Sequence, residues 1–228
     1  MTLARFDAVR LDHFIGFVRN WEISSTEPTA VKGRWLKGPG IAFFQALAKA
    51  LGRTDLPLIA EDLGAVTPKV RRLRDQLGLP GIKVLQFAFG TDPQAKSFLP
   101  HNYPRRAVAY TGTHDNDTTV GWFEGGPGST RDEAQVMKER VLAMRYLPSD
   151  GRAIHWDMIR AAWASVAQVA IAPMQDFLGL GSAARMNVPG AATGNWTWRM
   201  PMGDASDALA DRVRELTLTY GRLRGTVE

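Results

Sequence analysis

With 228 residues, 45% of them hydrophobic and 22% charged, the chain can bury a substantial core. No window approaches the roughly 18 uninterrupted apolar residues of a membrane span, and the absence of cysteine excludes disulfides, thiolate chemistry and Cys-ligated zinc. The net charge of +5 reflects 28 Lys and Arg against 23 acids; these are dispersed, and the densest basic cluster, residues 69–74, reads as the outer face of a helix rather than a nucleic-acid patch.

The opening MTLARFDAVRLDHF lacks the basic-then-apolar pattern and the cleavage site of a signal peptide, so a cytoplasmic location is expected. Residues 8–11 are the first strand candidate, followed by a long Gly- and Pro-bearing stretch over 15–40. Residues 41–51 have helical spacing and stop at Gly52. Residues 56–60 form the next strand. Thr67 as N-cap, Pro68 at the first helical position and Gly78 after the last turn then delimit a helix. The apolar run 82–89 predicts a third strand and 107–110 a fourth. A charged surface helix is expected over 129–146, with Asp132 and Glu133 in its first turn, as the helix dipole favours. Another helix spans 153–164, and a fifth strand 166–173. The Gly-, Asn- and Trp-rich loop GSAARMNVPGAATGNWTWRM leads to a closing amphipathic helix from Asp204 to Leu223.

Apolar rather than alternating strands, separated by helices, predict a parallel sheet covered by helices. An eight-stranded β/α barrel needs about 250 residues; five strands do not close one. The chain is therefore expected to be an incomplete barrel with exposed apolar strand edges at Val9 and Val169. An open doubly wound sheet is the alternative, but no Gly-rich phosphate loop follows any strand.

Acids stand at the carboxyl ends of three of these strands: Asp12, Glu61 and Asp115. In β/α barrels that rim carries the active site, although a single acid there also serves as a helix cap or a solvated turn. Arg10 and Asp12 are two apart on an extended chain and leave from one face. Such an arginine keeps a carboxylate ionised, as a nucleophile requires, or forms a structural ion pair. If the strands of Asp12 and Glu61 are neighbours, they lie about 4.8 Å apart, close to the carboxylate separation of about 5–5.5 Å in retaining glycosidases. Glu61 would then act as acid/base with a raised pKa. In YTGTHDND, consecutive residues of an extended chain diverge, and no metal-ligand spacing accompanies them, so a metal site is not expected. His114 and Asp115 read as rim residues, and Asn116 and Asp117 as holding the shape of the loop.

The sequence resembles glycoside hydrolase family 77, the 4-α-glucanotransferases, relatives of the α-amylases. The resemblance rests on RLDHFIGF (10–17), WEI (21–23), TAVKGRWLKGPG (29–40), IAEDLG (59–64) and GIKVLQFAF (81–89). It continues through YTGTHDNDTTVGW (110–122), QDFLGLGSAARMNVPG (175–190) and GNWTWR (194–199). It implies the C-terminal part of a (β/α)8 catalytic barrel, an α/β fold, covering roughly strands 4 to 8. It implies Asp12 as nucleophile, Glu61 as acid/base and Asp115 as the transition-state-stabilising aspartate. Arg10 orients the nucleophile, His114 binds sugar, and Asn195 lies in a loop that approaches bound glucan. No metal or cofactor is implied. The expected partners are α-1,4-glucans, maltooligosaccharides and glucose as acceptor, with no nucleic acid and no membrane. Ile15 departs from the family pattern, which has Arg there.

The expected reaction is retaining transfer through a covalent glucosyl-Asp12 intermediate, with Trp21, Trp35, Trp122, Trp196 and Trp198, all read as loop residues, as candidate sugar platforms. Lacking the first strands, the chain is expected to need a complementing N-terminal barrel part for turnover. An amylase-type hydrolase and a non-catalytic partial barrel are the alternatives.

Overall fold

The structure is a computed structural model that describes residues 2–223 and divides into two compact units, Met1–Ile82 and Lys83–Glu228.

In the first unit, β1 (Val9–Leu11) is followed by a 3-10 turn over Phe14–Phe17, the hairpin strands β2 (Arg19–Glu22) and β3 (Arg34–Lys37), and helix α1 (Ile41–Leu51). Then come β4 (Leu58–Ala60), α2 (Pro68–Gln76) and β5 (Gly81–Val84), inside which the division falls. β4 pairs in parallel with β1, Val9 facing Leu58, Arg10 facing Ile59 and Leu11 facing Ala60, and with β5 through Ala60 and Gly81. Leu58 and Ala60, joined by Val9 and Leu11, pack on Phe14, Phe44, Val70, Leu73 and Leu79. That packing fixes which face of the strands is core. Along α2, Val70 and Leu73 are buried while Lys69, Arg71 and Arg72 are exposed, so the basic cluster is indeed an outer helix face.

In the second unit, β6 (Ala107–Tyr110) leads to α3 (Thr119–Glu124), α4 (Glu133–Tyr146) and α5 (Ile154–Ala164). It continues with β7 (Val169–Ile171), the short α6 (Met174–Phe177) and α7 (Asp207–Thr219). β6 is buried throughout and pairs in parallel with β7, Val108 facing Val169 and Tyr110 facing Ile171. Two apolar clusters support the unit. One surrounds Leu85, Phe89, Trp122 and Met158, and the other surrounds Tyr103, Trp156, Ile159 and Trp163.

Parallel strands alternating with helices make this the expected α/β fold, an incomplete TIM barrel: the described residues hold five parallel strands, against the eight that close one. Val169 at the β7 edge is exposed, as expected; Val9 is half-buried.

Several boundaries differ from those read in the sequence. The strand expected over 56–60 starts at Leu58, because the Leu58 N–H turns back to the Leu56 carbonyl across Pro57. The strand expected over 82–89 ends at Val84, and Leu85–Phe89 is a 3-10 helix, buried except at Phe87; continuous apolarity does not distinguish the two. The helix expected from 129 begins at Glu133, since the Asp132 carboxylate caps it by accepting from the Gln135 N–H at 2.7 Å. The strand expected over 166–173 is only β7. Carbonyls of Ser165 and Ala167 accept from the Arg222 guanidinium instead of a strand partner, and Pro173 caps α6. The last helix runs from Asp207, after its Ser206 cap, to Thr219. The stretch 15–40 contains an unforeseen antiparallel hairpin in which Trp21 faces Trp35.

Gly81 is required by a close approach. A Cβ there would meet both Asp62 carboxylate oxygens at 2.6 Å, and that carboxylate accepts from the Ile82 N–H at 2.9 Å and pairs with Arg74. Gly81→Ala is expected to destabilise the protein by about 2 kcal/mol, read as a lower urea midpoint with unchanged slope. An unchanged midpoint would show that Asp62 does not hold β5 in place.

Candidate active site

The β1–β4 ladder runs one step beyond the strands, with the Glu61 N–H donating to the Leu11 carbonyl at 3.0 Å. Side chains alternate along a strand. Because Val9, Leu11, Leu58 and Ala60 face the core, Arg10, Asp12, Ile59 and Glu61 take the opposite face. Asp12 and Glu61 each follow a member of the Leu11–Ala60 pair, on neighbouring strands whose backbones are typically about 4.8 Å apart.

Arg10 Nη2 lies 3.0 Å from Asp12 Oδ1, and the Asp12 side chain is 64% exposed. Arg10 Nε is buried without a hydrogen-bond partner. Beyond Asp12 the backbone turns sharply: His13 has φ 51° and ψ 50°, which aims its N–H at Glu61 Oε2, 2.6 Å away. His13 was not singled out in the sequence, because a backbone donor on a left-handed residue leaves no side-chain signature. Burial is the main cause pushing the Glu61 carboxyl above the usual range, and the Asp12 charge adds to it; the His13 N–H and the Arg10 charge act the other way. Ile15, where the family pattern has Arg, is packed in the apolar cluster of this unit. In the Glu61-Asp62 pair the two acids diverge: Asp62 is tied to Arg74 and Ile82, whereas Glu61 accepts from the His13 N–H.

The second unit carries the remaining candidates on the segment after β6. Asp115 Oδ1 accepts from Asn187 Nδ2 at 2.6 Å, and the Asp115 carbonyl accepts from Arg185 Nη2 at 2.8 Å. His114 Nε2 is 3.5 Å from Asp115 Oδ1, and the His114 ring lies 5.2 Å from that of Trp196. Asn116 and Asp117 do hold the shape of the loop. Asn116 Oδ1 accepts from the N–H and hydroxyl of Thr113, and Asp117 accepts from the Thr118 N–H and the Ser182 hydroxyl. Beneath them the buried Asp176 accepts from the Thr111 hydroxyl and from the N–H and hydroxyl of Thr119. Its burial pushes that carboxyl up, against the pull of those hydrogen bonds.

Arg185, Asn187 and Asp176 were not named from the sequence. Their contacts with the segment after β6 span long stretches of chain, and the only signal available was two polar residues around Met186 in an otherwise weakly polar loop. Asn195 uses both ends of its amide inside that loop, accepting from the Val188 N–H and donating to the Ala191 carbonyl. Among the tryptophans, Trp122 lies in α3 and is buried, not in a loop, and Trp21 and Trp35 sit on the hairpin strands. Among the described residues no group of three or more His, Asp or Glu is placed to hold a metal ion.

Residues 1–204 match the family model described as 4-alpha-glucanotransferase. The 4-alpha-glucanotransferase of Synechocystis sp. is 49% identical over 96% of this chain and 42% of its own length. That of Thermus thermophilus is 45% identical over 97% of this chain and 43% of its own. Among solved structures, the amylomaltase from Streptococcus agalactiae in complex with acarbose matches with a TM-score of 0.86 and 35% identity, over 96% of this chain and 42% of that one. The chain thus spans about two fifths of the relatives it matches.

Because the Glu61 carboxyl is raised, its protonated form stabilises the folded state below the ordinary carboxylate pKa, and that contribution is lost as pH rises through the raised value. In an NMR titration of the side-chain carboxyl carbons, Asp12→Asn is expected to lower the Glu61 midpoint and Arg10→Met to raise it further. Midpoints that ignore both substitutions would mean the three side chains do not share one site.

Proposed function

The chain belongs to the 4-alpha-glucanotransferase family, and from that premise we propose that it carries the catalytic pair of a retaining glucan transferase. What supports this most is the β1–β4 register, in which Leu11 and Ala60, the residues just before Asp12 and Glu61, are paired. A strand spacing of about 4.8 Å is nearer the carboxyl separation of a retaining mechanism, about 5–5.5 Å, than that of an inverting one, about 6.5–9.5 Å.

In the proposed reaction an Asp12 oxygen attacks the anomeric carbon of an α-1,4-linked glucan. The bond from that carbon to the bridging oxygen breaks, and the departing oxygen takes the proton of Glu61. The glucosyl group is then esterified to Asp12, and Glu61 is ionised. The 4-hydroxyl of an acceptor, glucose or a maltooligosaccharide, gives its proton to Glu61, and its oxygen displaces Asp12. Burial of Glu61 favours the protonated state that the first step needs. The His13 N–H aims Glu61, and Arg10 aims Asp12. Asp115 is assigned to the positive charge that develops at the reacting carbon, and His114 to a sugar hydroxyl. Asn195 contributes by shaping the 181–200 loop. No step calls for a metal or cofactor.

The reaction site we propose is the cytoplasm; no described helix is long and apolar enough to cross a membrane. Because the chain spans only about two fifths of its relatives, we propose that turnover needs the remaining barrel strands from a complementing part.

Maltotriose tests this, offered to the 228-residue chain alone and to a chimera in which the chain replaces the matching portion of the Synechocystis relative. The chimera is expected to yield glucose and longer glucans, to lose about a thousandfold or more of its rate with Asp12→Asn, and to slow as pH rises through the Glu61 midpoint. The chain alone is expected to show no turnover. Reducing ends that rise without longer glucans would instead indicate an amylase-type hydrolase, and disproportionation by the chain alone would refute the need for a complement.

A further inference from the structure

Trp196 is held in a conformation that its burial does not explain. Its backbone has φ 62°, a left-handed geometry that costs a bulky residue about 1–3 kcal/mol. The residue is nonetheless 52% exposed, so packing returns little for the strain. The loop holds it there from both sides. The Trp196 N–H donates to the Met186 carbonyl at 2.6 Å, and Arg199 Nη1 donates to the Trp196 and Trp198 carbonyls. Asn195 closes the preceding turn on Val188 and Ala191.

The result of that bracing is a position. The indole sits 5.2 Å from the His114 ring at an interplanar angle of 36°, and His114 is the neighbour of Asp115. The same loop also supplies Asn187 and Arg185, which hold the Asp115 carboxylate and carbonyl. One loop therefore fixes the acid and sets an open aromatic face beside it.

We infer that Trp196 is a specificity-determining residue: its exposed indole stacks a glucose ring of the glucan and presents that sugar's hydroxyls to His114 and Asp115. The chemistry fits, since an indole is a broad apolar face with one polar edge, and a pyranose has an apolar face rimmed by hydroxyls. Backbone strain at a residue whose ring stays open is the pattern of a ligand contact held ready before binding. This rests on the glucan reading above and adds to it the surface that recognises the sugar.

The test uses the chimera that carries this chain, with maltoheptaose as probe by calorimetry and thermal unfolding as a second readout. Trp196→Gly accepts the left-handed backbone without strain. It is expected to raise the unfolding midpoint by about 2 °C while weakening maltoheptaose binding about tenfold. Trp196→Phe keeps a flat aromatic face and is expected to retain most of the binding. A Trp196→Gly chimera that binds as tightly as the wild type, or one that unfolds at a lower temperature, overturns the inference, because the ring would then be idle or a packing element. A wild-type chimera that binds no maltoheptaose overturns the glucan reading itself, a result distinguishable from failure at Trp196 alone.

Discussion

The parallel register between β1 and β4 is the constraint on which the candidate chemistry depends. Side chains in a strand alternate with a period of two, so a slip of one residue between β1 and β4 would send Glu61 into the core and leave Asp12 alone. The apolar residues prevent that slip. Val9 and Leu11 on one strand, Leu58 and Ala60 on the other, must all reach the cluster around Phe14, Phe44 and Val70. The spacing of the two candidate acids is thus set by hydrophobic burial beneath β1 and β4.

Different physics holds the second set of candidates. Asp115 lies on a loop, where no ladder fixes side-chain direction, and it is placed by polar contacts instead. Asn187 and Arg185 bind it directly. Asp176, Thr111 and Thr119 form a buried polar knot beneath the segment that carries it. Such networks are costly when only partly satisfied and rigid when complete. The left-handed residues His13 and Trp196 border the two sets, one aiming a backbone N–H at Glu61 and the other setting a ring beside His114. In both, local strain accompanies a position that nearby side chains alone do not explain.

The features legible in the sequence were those written in local periodicity. Val9-Arg10-Leu11-Asp12 alternates, and so does the end of Leu58-Ile59-Ala60-Glu61, so the direction of both acids follows from reading every second residue. The helices were recognisable from their caps and terminators, Thr67 with Pro68 and Gly52 among them, although the Thr67 side chain makes no capping hydrogen bond. Continuous apolar stretches were less informative. Residues 82–89 read as one strand but contain a strand and a 3-10 helix, because most residues of both are buried and apolar. Long-range polar partners were not legible at all, since neither the 70-residue separation of Asp115 and Arg185 nor the 72 between Asp115 and Asn187 leaves a spacing signature.

In the proposed reaction Asp12 receives the glucosyl group while Glu61 manages the proton. The most direct measurement is mass spectrometry of the chimera after exposure to a 5-fluoro-α-glucosyl fluoride, followed by peptide mapping. A single glucosyl adduct on the peptide that contains Asp12 is the expected result. An adduct on another carboxylate, or sustained transfer with no adduct at any residue, would contradict it.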